Sequence, residues 1–284
     1  IIPDNNQTVP HLTRKTGGAT GEPMLYLLEE HRWGYTSAAK LYAWMTTSYQ
    51  YGDKFVAMGS ASLFAKKPSL LRRIYDKIRR EYPLNTVNLT DELCEQYITF
   101  LKQNQIKYIY GYAGSIYVFT NYVAKHNVDL KQIEVVFTTS ENLKNNYRIL
   151  IENTYECKVM DCYGANDAGM NAYEINRGHY HVGYNVMCEV INPIAENTGS
   201  LLTTNLLNYS FPLLRYQFGD EVELSPDVDE TEYNGQVLRR VLGRTSDVMR
   251  LENGHNMTAT GFSMIMKEFD IVAFCFDKTG VNEV

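Results

Sequence analysis

Short apolar runs alternate with longer amphipathic segments between Lys54 and Gly164, and this alternation constrains the fold more than any other feature of the chain. The apolar runs have the length and composition of buried strands, whereas the segments between them repeat apolar residues at helical spacing. We predict strands at 54–58, 108–110, 134–138 and 158–162, and helices at 70–80, 91–103, 115–125 and 142–152. Strands that alternate with helices form parallel sheets, so the sequence predicts an α/β domain. Its ligand site is expected where loops leave the carboxyl ends of the strands.

The pattern changes after about Tyr180, where short alternating segments are separated by turn signals such as Asn197-Thr198-Gly199 and Asn234-Gly235. This texture is typical of antiparallel β structure. The sequence pattern changes again after Asp247. We therefore expect a core over 1–246, parallel to about 165 and β-rich over 180–246, and the beginning of a small α+β subdomain over 247–284.

Charge and composition exclude several classes of protein. The formal net charge of -6 argues against a nucleic acid partner, because phosphate backbones are bound by clustered Lys and Arg. No apolar run approaches the roughly 20 residues that span a bilayer. The 5 cysteines are odd in number and lack Cys-x-x-Cys spacing, which favours a cytoplasmic protein without a disulfide framework.

A loop near the start of the chain, Thr16-Gly17-Gly18-Ala19-Thr20-Gly21-Glu22-Pro23, has the composition of a phosphate site. Glycines allow backbone N–H groups to turn around an anion, and threonine hydroxyls add neutral donors. The loop lacks the spacing of a Walker P-loop. By itself the loop is more readily interpreted as a flexible surface turn.

Further segments carry groups suited to a nucleotide. Asp220, after Gly219, could accept hydrogen bonds from ribose hydroxyls, or could be a turn residue. Arg244 could reach ribose or phosphate oxygens, or form a salt bridge at a hairpin corner. Tyr163, before Gly164, could lie on a planar base while Asp167 reaches magnesium. The alternative is a core tyrosine followed by a helix-capping aspartate.

Taken in order, these motifs resemble those of the adenylate-forming superfamily, and within it the branch of phenylacetate-coenzyme A ligases and CapK-type proteins of capsular polysaccharide gene clusters. The resemblance extends from Thr16 to about Val272. It implies a large layered core with a mostly parallel sheet and an antiparallel region, followed by a small lid. It also implies that a carboxylic acid is activated by MgATP as an acyl-adenylate, which then passes to coenzyme A or to another thiol or amine acceptor.

The resemblance assigns a role to each candidate residue. Phosphates would be held by Thr16, Gly17, Gly18, Thr20 and Gly21, and magnesium by Asp167. Adenine and ribose would be bound by Ser140, Glu141, Tyr163, Gly164, Asp220 and Arg244. The acyl pocket would be lined by Gly111, Tyr112 and Gly114, and Asp247 would be the lid hinge.

The chain departs from the family's pattern in several places. Glu22 stands where many members have lysine, and Asp167 replaces the commoner glutamate. The catalytic lysine of the family belongs to the lid and is expected beyond Val284, and a homodimer is expected by analogy. A nucleotide-binding protein of the same fold that acts as an assembly or regulatory component is the alternative.

Overall fold

The computed structural model describes residues 9–15, 24–29, 32–59, 74, 76–86, 89–226, 235–244, 248–250 and 256–258. The helices are α1 (Arg32–Trp44), α2 (Asp91–Gln103), α3 (Ala113–Lys125) and α4 (Asn145–Tyr155). The strands are β1 (His11–Lys15), β2 (Leu25–Glu29), β3 (Phe55–Gly59), β4 (Glu81–Asn85), β5 (Tyr108–Tyr112), β6 (Val135–Thr139), β7 (Lys158–Ala165), β8 (Met170–Asn176), β9 (His179–Val182), β10 (Val186–Ala195), β11 (Thr198–Asn205), β12 (Tyr216–Leu224), β13 (Val237–Arg244), β14 (Val248–Arg250) and β15 (Asn256–Thr258).

An 11-stranded sheet forms the framework, in the order β10-β11-β12-β13-β9-β8-β7-β6-β5-β3-β4. The strands from β4 to β7 run parallel to one another, and every pair from β7 to β10 is antiparallel. Two smaller sheets pair β1 with β2 and β14 with β15. The predicted α/β fold, with a parallel region followed by an antiparallel one, is confirmed.

The parallel strands β3, β5, β6 and β7 are buried on both faces over most of their length, which explains their continuous apolar runs. One face packs against α2, α3 and α4, and its residues in register are Val56, Ile109, Val136 and Val159. The other face packs against α1 through Phe55, Tyr108, Val135 and Phe137. Trp44 of α1 is 0 % exposed and stacks on Phe137 at 4.2 Å between ring centroids. Helix α1 thereby leaves a space between its first turns and the sheet.

The structure departs from the predicted elements in several places. Helix α1 and the edge strand β4 were not predicted, and antiparallel structure begins at Met170 rather than at about 180. Helix α4 begins at Asn145 rather than at 142, and the residue before it, Lys144, has an extended backbone with φ -68° and ψ 146°. Ser140, directly after β6, takes a left-handed conformation with φ 66°. Among the helices that are described, none is long and apolar enough to cross a membrane.

Candidate nucleotide-binding site

A cavity of about 490 Å³ lies between α1 and the sheet, and it reaches the carboxyl ends of β6 and β7. Tyr163, Gly164 and Asn166 line it at the end of β7, and Thr139 lines it at the end of β6. Lys40 of α1 lies in the opposite wall. The position agrees with the general rule that open α/β sheets bind ligands at the carboxyl ends of their strands.

Two of the predicted nucleotide-binding residues meet beside this cavity. The Tyr163 hydroxyl donates a hydrogen bond of 2.6 Å to Oδ2 of Asp220. Asp220 is 9 % exposed and stands opposite Arg244 in the register of β12 and β13. The fold therefore brings three separate sequence motifs together at one place.

The alternative interpretation of Asp220 as a turn residue is wrong, because Gly219 and Asp220 both lie inside β12. Gly219 has φ 92°, and the pairing of β11 with β12 shifts in register between Ser200 and Leu202. Extra residues on one strand form a bulge, which redirects side chains and favours glycine at positive φ. The bulge, rather than a turn, presents Asp220 to Tyr163.

Glu141 contacts the beginning of α3, where Gly114 was predicted to wall the acyl pocket. Its Oε2 accepts a hydrogen bond of 2.6 Å from the Gly114 N–H. A Cβ atom at Gly114 would lie 2.8 Å from the same oxygen. The loop after β6 is therefore held against the helix after β5, and Glu141 partners an N–H group that the helix itself cannot satisfy.

The other two predicted acyl-pocket residues, Gly111 and Tyr112, end β5. Gly111 stands opposite Met58 in β3, and a Cβ atom there would lie 2.0 Å from the Met58 carbonyl oxygen. Gly111 thus permits close approach of two strands. Neither residue lines the cavity under α1, and their role at the acyl group stays a prediction.

Asp167, the predicted magnesium ligand, follows β7 and accepts a hydrogen bond of 3.2 Å from the Tyr216 hydroxyl. The part of the chain that the structure describes contains no group of three or more His, Cys, Asp or Glu that could hold a metal. Magnesium often takes only one or two carboxylates and completes its shell with phosphates and water. A single carboxylate is compatible with that mode, and the assignment stays a prediction.

The predicted phosphate-loop residues (Thr16, Gly17, Gly18, Thr20, Gly21) and the hinge Asp247 lie outside the described residues, as does the Arg244 side chain. The strands on either side of the loop are described, and Lys15 pairs with Leu25. At the far end of β2, buried Glu29 accepts hydrogen bonds from the Ser210 N–H at 2.5 Å and the Ser210 hydroxyl at 3.0 Å. This contact, which sequence analysis missed, docks the hairpin on the segment that leads into β12.

A buried polar network lies behind β7, on the sheet face opposite the cavity. Asp161 accepts hydrogen bonds from the hydroxyls of Thr138 at 2.6 Å and Tyr180 at 2.8 Å. Arg148 forms a buried ion pair with Glu174. Burial raises the pKa of Asp161 to about 6, although both hydroxyl donors lower it. An acidic residue inside an apolar strand, Asp161 in β7, is the sequence signal that could have predicted this network.

Comparison with known proteins supports the predicted resemblance. No family model matches the chain. Protein CapK of Staphylococcus aureus is 22% identical over 275 residues, which cover 95% of this chain and 61% of CapK. The chain therefore spans about three fifths of the length of this curated relative.

Solved structures show the same fold at low identity. A 2-hydroxyisobutyryl-CoA ligase in the postadenylation state, in complex with R3-HIB-AMP, matches with TM-score 0.67 and 15% identity over 93% of this chain and 58% of that chain. ATP-bound MatB from Rhodopseudomonas palustris matches with TM-score 0.58 and 14% identity over 87% of this chain and 50% of that chain. The chain has the fold of the adenylate-forming acyl-CoA ligases, as the ordered motifs predicted.

Proposed function

We propose that this chain, which has the fold of adenylate-forming CoA ligases, is the adenylation core of a protein that activates a carboxylic acid as an acyl-adenylate with release of pyrophosphate. The observation that carries the proposal is the meeting of Tyr163 and Asp220 beside the cavity, with Arg244 opposite Asp220. Nothing in the local sequence requires these residues to meet. A shared ligand gives a reason for their meeting.

In this proposal the adenosine part of ATP lies at the ends of β6 and β7, beside the bulge within β12. The Tyr163 ring stacks on adenine, with Gly164 behind it and Ser140 and Glu141 at its edge. The ribose hydroxyls donate to Asp220, because a carboxylate can accept several hydrogen bonds and so can hold Tyr163 as well. Arg244 contacts the ribose from β13.

The chemical step joins two anions and so depends on positioning and charge neutralisation. A carboxylate oxygen of the acid attacks the α-phosphorus, the bond from that phosphorus to the bridging oxygen breaks, and pyrophosphate leaves with the electron pair. Backbone N–H groups and hydroxyls of the loop over 16–21 hold the departing phosphates. Asp167 would hold magnesium, which neutralises phosphate charge when bound.

The later steps are also part of the proposal. The thiol of coenzyme A, or another thiol or amine, attacks the carbonyl carbon of the adenylate and loses its proton; the bond from that carbon to the phosphate oxygen breaks, so the acyl group is transferred and AMP leaves with the electron pair. A lid that begins at 247, after a core over 1–246, rotates about Asp247 between the half-reactions. We place the protein in the cytoplasm, as a homodimer, with a role in capsular polysaccharide biosynthesis.

The test is acid-dependent exchange of labelled pyrophosphate into ATP by the full-length protein, measured across a broad panel of acids. Asp220→Ala should reduce exchange at least tenfold, whereas Asp129→Ala, a change of an exposed loop residue, should leave it unchanged. Calorimetry with AMP is run in parallel. AMP binding without exchange for any acid would refute activation and favour the non-catalytic nucleotide-binding alternative, and no AMP binding would refute both.

A further inference from the structure

The β1–β2 hairpin, whose connecting loop is the predicted phosphate loop, forms a two-stranded sheet of its own. Glu29 pairs with His11 at the open end of the hairpin. Lys15 pairs with Leu25 at the other end, and the loop over 16–24 connects these two residues. A two-stranded hairpin is at best marginally stable by itself in water, so contacts with the rest of the protein fix its orientation. The same contacts therefore determine where both ends of the loop lie.

Asn208, in the connection between β11 and β12, binds the backbone of β2. Its Nδ2 donates hydrogen bonds to the Leu27 carbonyl at 2.8 Å and to the Phe211 carbonyl at 3.0 Å. Its Oδ1 accepts a hydrogen bond of 3.1 Å from the Glu29 N–H. These partners fix the orientation of the amide, because only its nitrogen can donate and only its oxygen can accept. Asn208 thus holds β2 at two positions near its end.

The side chain of Glu29 adds a second contact between the same two segments, through its hydrogen bonds from the N–H and hydroxyl of Ser210. We call Glu29, Asn208 and Ser210 the hairpin clamp. Each of the three is buried. Breaking a buried hydrogen bond leaves a polar group without a partner, which costs more than the bond itself contributes. The clamp therefore favours a single orientation of the hairpin.

The segment that contains Asn208 and Ser210 is itself anchored to the main sheet. The Asn205 N–H donates a hydrogen bond of 3.0 Å to the Leu213 carbonyl, which closes the base of the segment. Just beyond it, the Arg215 N–H donates to the Thr204 hydroxyl at 3.0 Å. Strand β12 follows directly and contains Asp220. The clamp therefore joins the hairpin to the strand that presents the predicted ribose ligand.

We propose that the hairpin clamp positions the phosphate loop relative to Asp220, so that the adenosine and the departing phosphates of ATP are bound in one fixed geometry. The inference rests on the proposed function and adds positioning residues to that same site. Asn208 acts through the hairpin rather than on the reacting atoms. A small displacement of the loop weakens its contacts with the β- and γ-phosphates. Because AMP lacks these phosphates, the clamp contributes to the binding of ATP and not to that of AMP.

The test compares the affinities of MgATP and AMP by calorimetry with the full-length protein. Asn208→Ala removes all the hydrogen bonds of the side chain. MgATP affinity should then fall about tenfold, the effect of losing roughly one hydrogen bond to a charged group, whereas AMP affinity should be unchanged. Ser210→Ala removes only the hydroxyl donor to Glu29, and it should lower MgATP affinity by a smaller factor.

Asn104→Ala is the matched control, because the Asn104 Nδ2 also donates to a backbone carbonyl, that of Phe100 at 3.0 Å. Asn104 follows α2 and precedes the amino end of β5, so it lies away from the carboxyl ends of the strands. Both affinities should be unchanged in this variant. Circular dichroism establishes that each variant is folded. A merely structural role of Asn208 would reduce the binding of both nucleotides equally and leave their affinity ratio unchanged.

An unchanged ratio of MgATP to AMP affinity in folded Asn208→Ala, or an equal change in Asn104→Ala, would overturn the inference. Should Asn208→Ala fail to fold, Ser210→Ala decides, and an unchanged ratio in that variant would overturn it. Failure of the proposed function gives a different result. Binding of neither nucleotide by the natural protein would overturn both proposals, whereas binding of both without acid-dependent exchange would refute activation and leave the ratio to decide the positioning role.

Discussion

The buried carboxyl of Asp161 should make the stability of this protein fall as pH rises from about 4 to about 6. Burial raises the pKa of Asp161 from 3.8 to about 6 on folding. Between these values the unfolded chain has lost the proton that the folded chain retains. The favourable contribution of the proton is therefore complete below about 4 and is lost as pH rises through the folded pKa.

The magnitude follows from the two pKa values. Each tenfold change in proton affinity corresponds to about 1.4 kcal/mol, so the pKa change contributes roughly 3 kcal/mol to the free energy of unfolding. Asp161→Asn cannot titrate, and its amide can still bond the hydroxyls of Thr138 and Tyr180. Part of the contribution is already lost at pH 4, so the stability of the variant relative to the natural protein should increase by roughly 2–2.5 kcal/mol between pH 4 and pH 7.

Urea unfolding followed by circular dichroism at half-unit intervals from pH 4 to pH 7 measures this difference. The test uses only how the difference in free energy of unfolding between the variant and the natural protein changes with pH. An effect of the amide on stability that is the same at every pH therefore cancels. Asp129→Asn, at an exposed residue, is the control and should give a constant difference. A constant difference for Asp161→Asn as well would show that burial does not perturb this carboxyl, and the reasoning would fail.

Further predictions concern the site and the sheet. Tyr163→Phe removes the donor to Asp220, and calorimetry should show AMP affinity reduced about tenfold, whereas unchanged affinity would exclude a positioning role for the hydroxyl. Gly111→Ala forces a Cβ atom to 2.0 Å from a carbonyl of β3 and should lower stability by several kcal/mol in urea unfolding. A Cβ atom at Gly34 in α1 has open space, so Gly34→Ala should instead be neutral or stabilising by up to ~1 kcal/mol. Equal losses of stability in Gly111→Ala and Gly34→Ala would contradict the steric argument. Arg148→Met leaves a buried carboxylate without its partner and should cost about 3–5 kcal/mol, so a thermal midpoint within 2 °C of the natural protein would refute it.

Local periodicity explains what was predicted correctly. Helix α2 begins at Asp91 and ends at Gln103, as predicted, and the Thr90 hydroxyl accepts the Leu93 N–H at 3.3 Å as its N-cap. The strands β5 to β7 were recognised because burial on both faces requires continuous apolar residues. Such features depend on residues within a few positions of each other. The order of the motifs likewise needed no coordinates, and it predicted the superfamily fold.

Elements whose stability comes from distant partners were missed. Helix α1 has no acidic residue in its first turn and no basic residue in its last, so the usual charge signals for its ends are absent. Its main anchor is Trp44 against Phe137, which the sequence does not connect. The edge strand β4 contains Pro83, a residue that argues against a central strand and is tolerated at an edge.

The sequence by itself determined the alternation of strands and helices, the order of the motifs and the chemical groups that each motif offers. Tertiary structure alone decided which groups meet: the bulge at Gly219 presents Asp220 to Tyr163, Glu29 docks the β1–β2 hairpin, and α1 brings Lys40 to the cavity. The physical reason is range. Backbone conformation and periodic burial are set by near neighbours, whereas a binding site depends on register and packing between segments that are far apart in the chain.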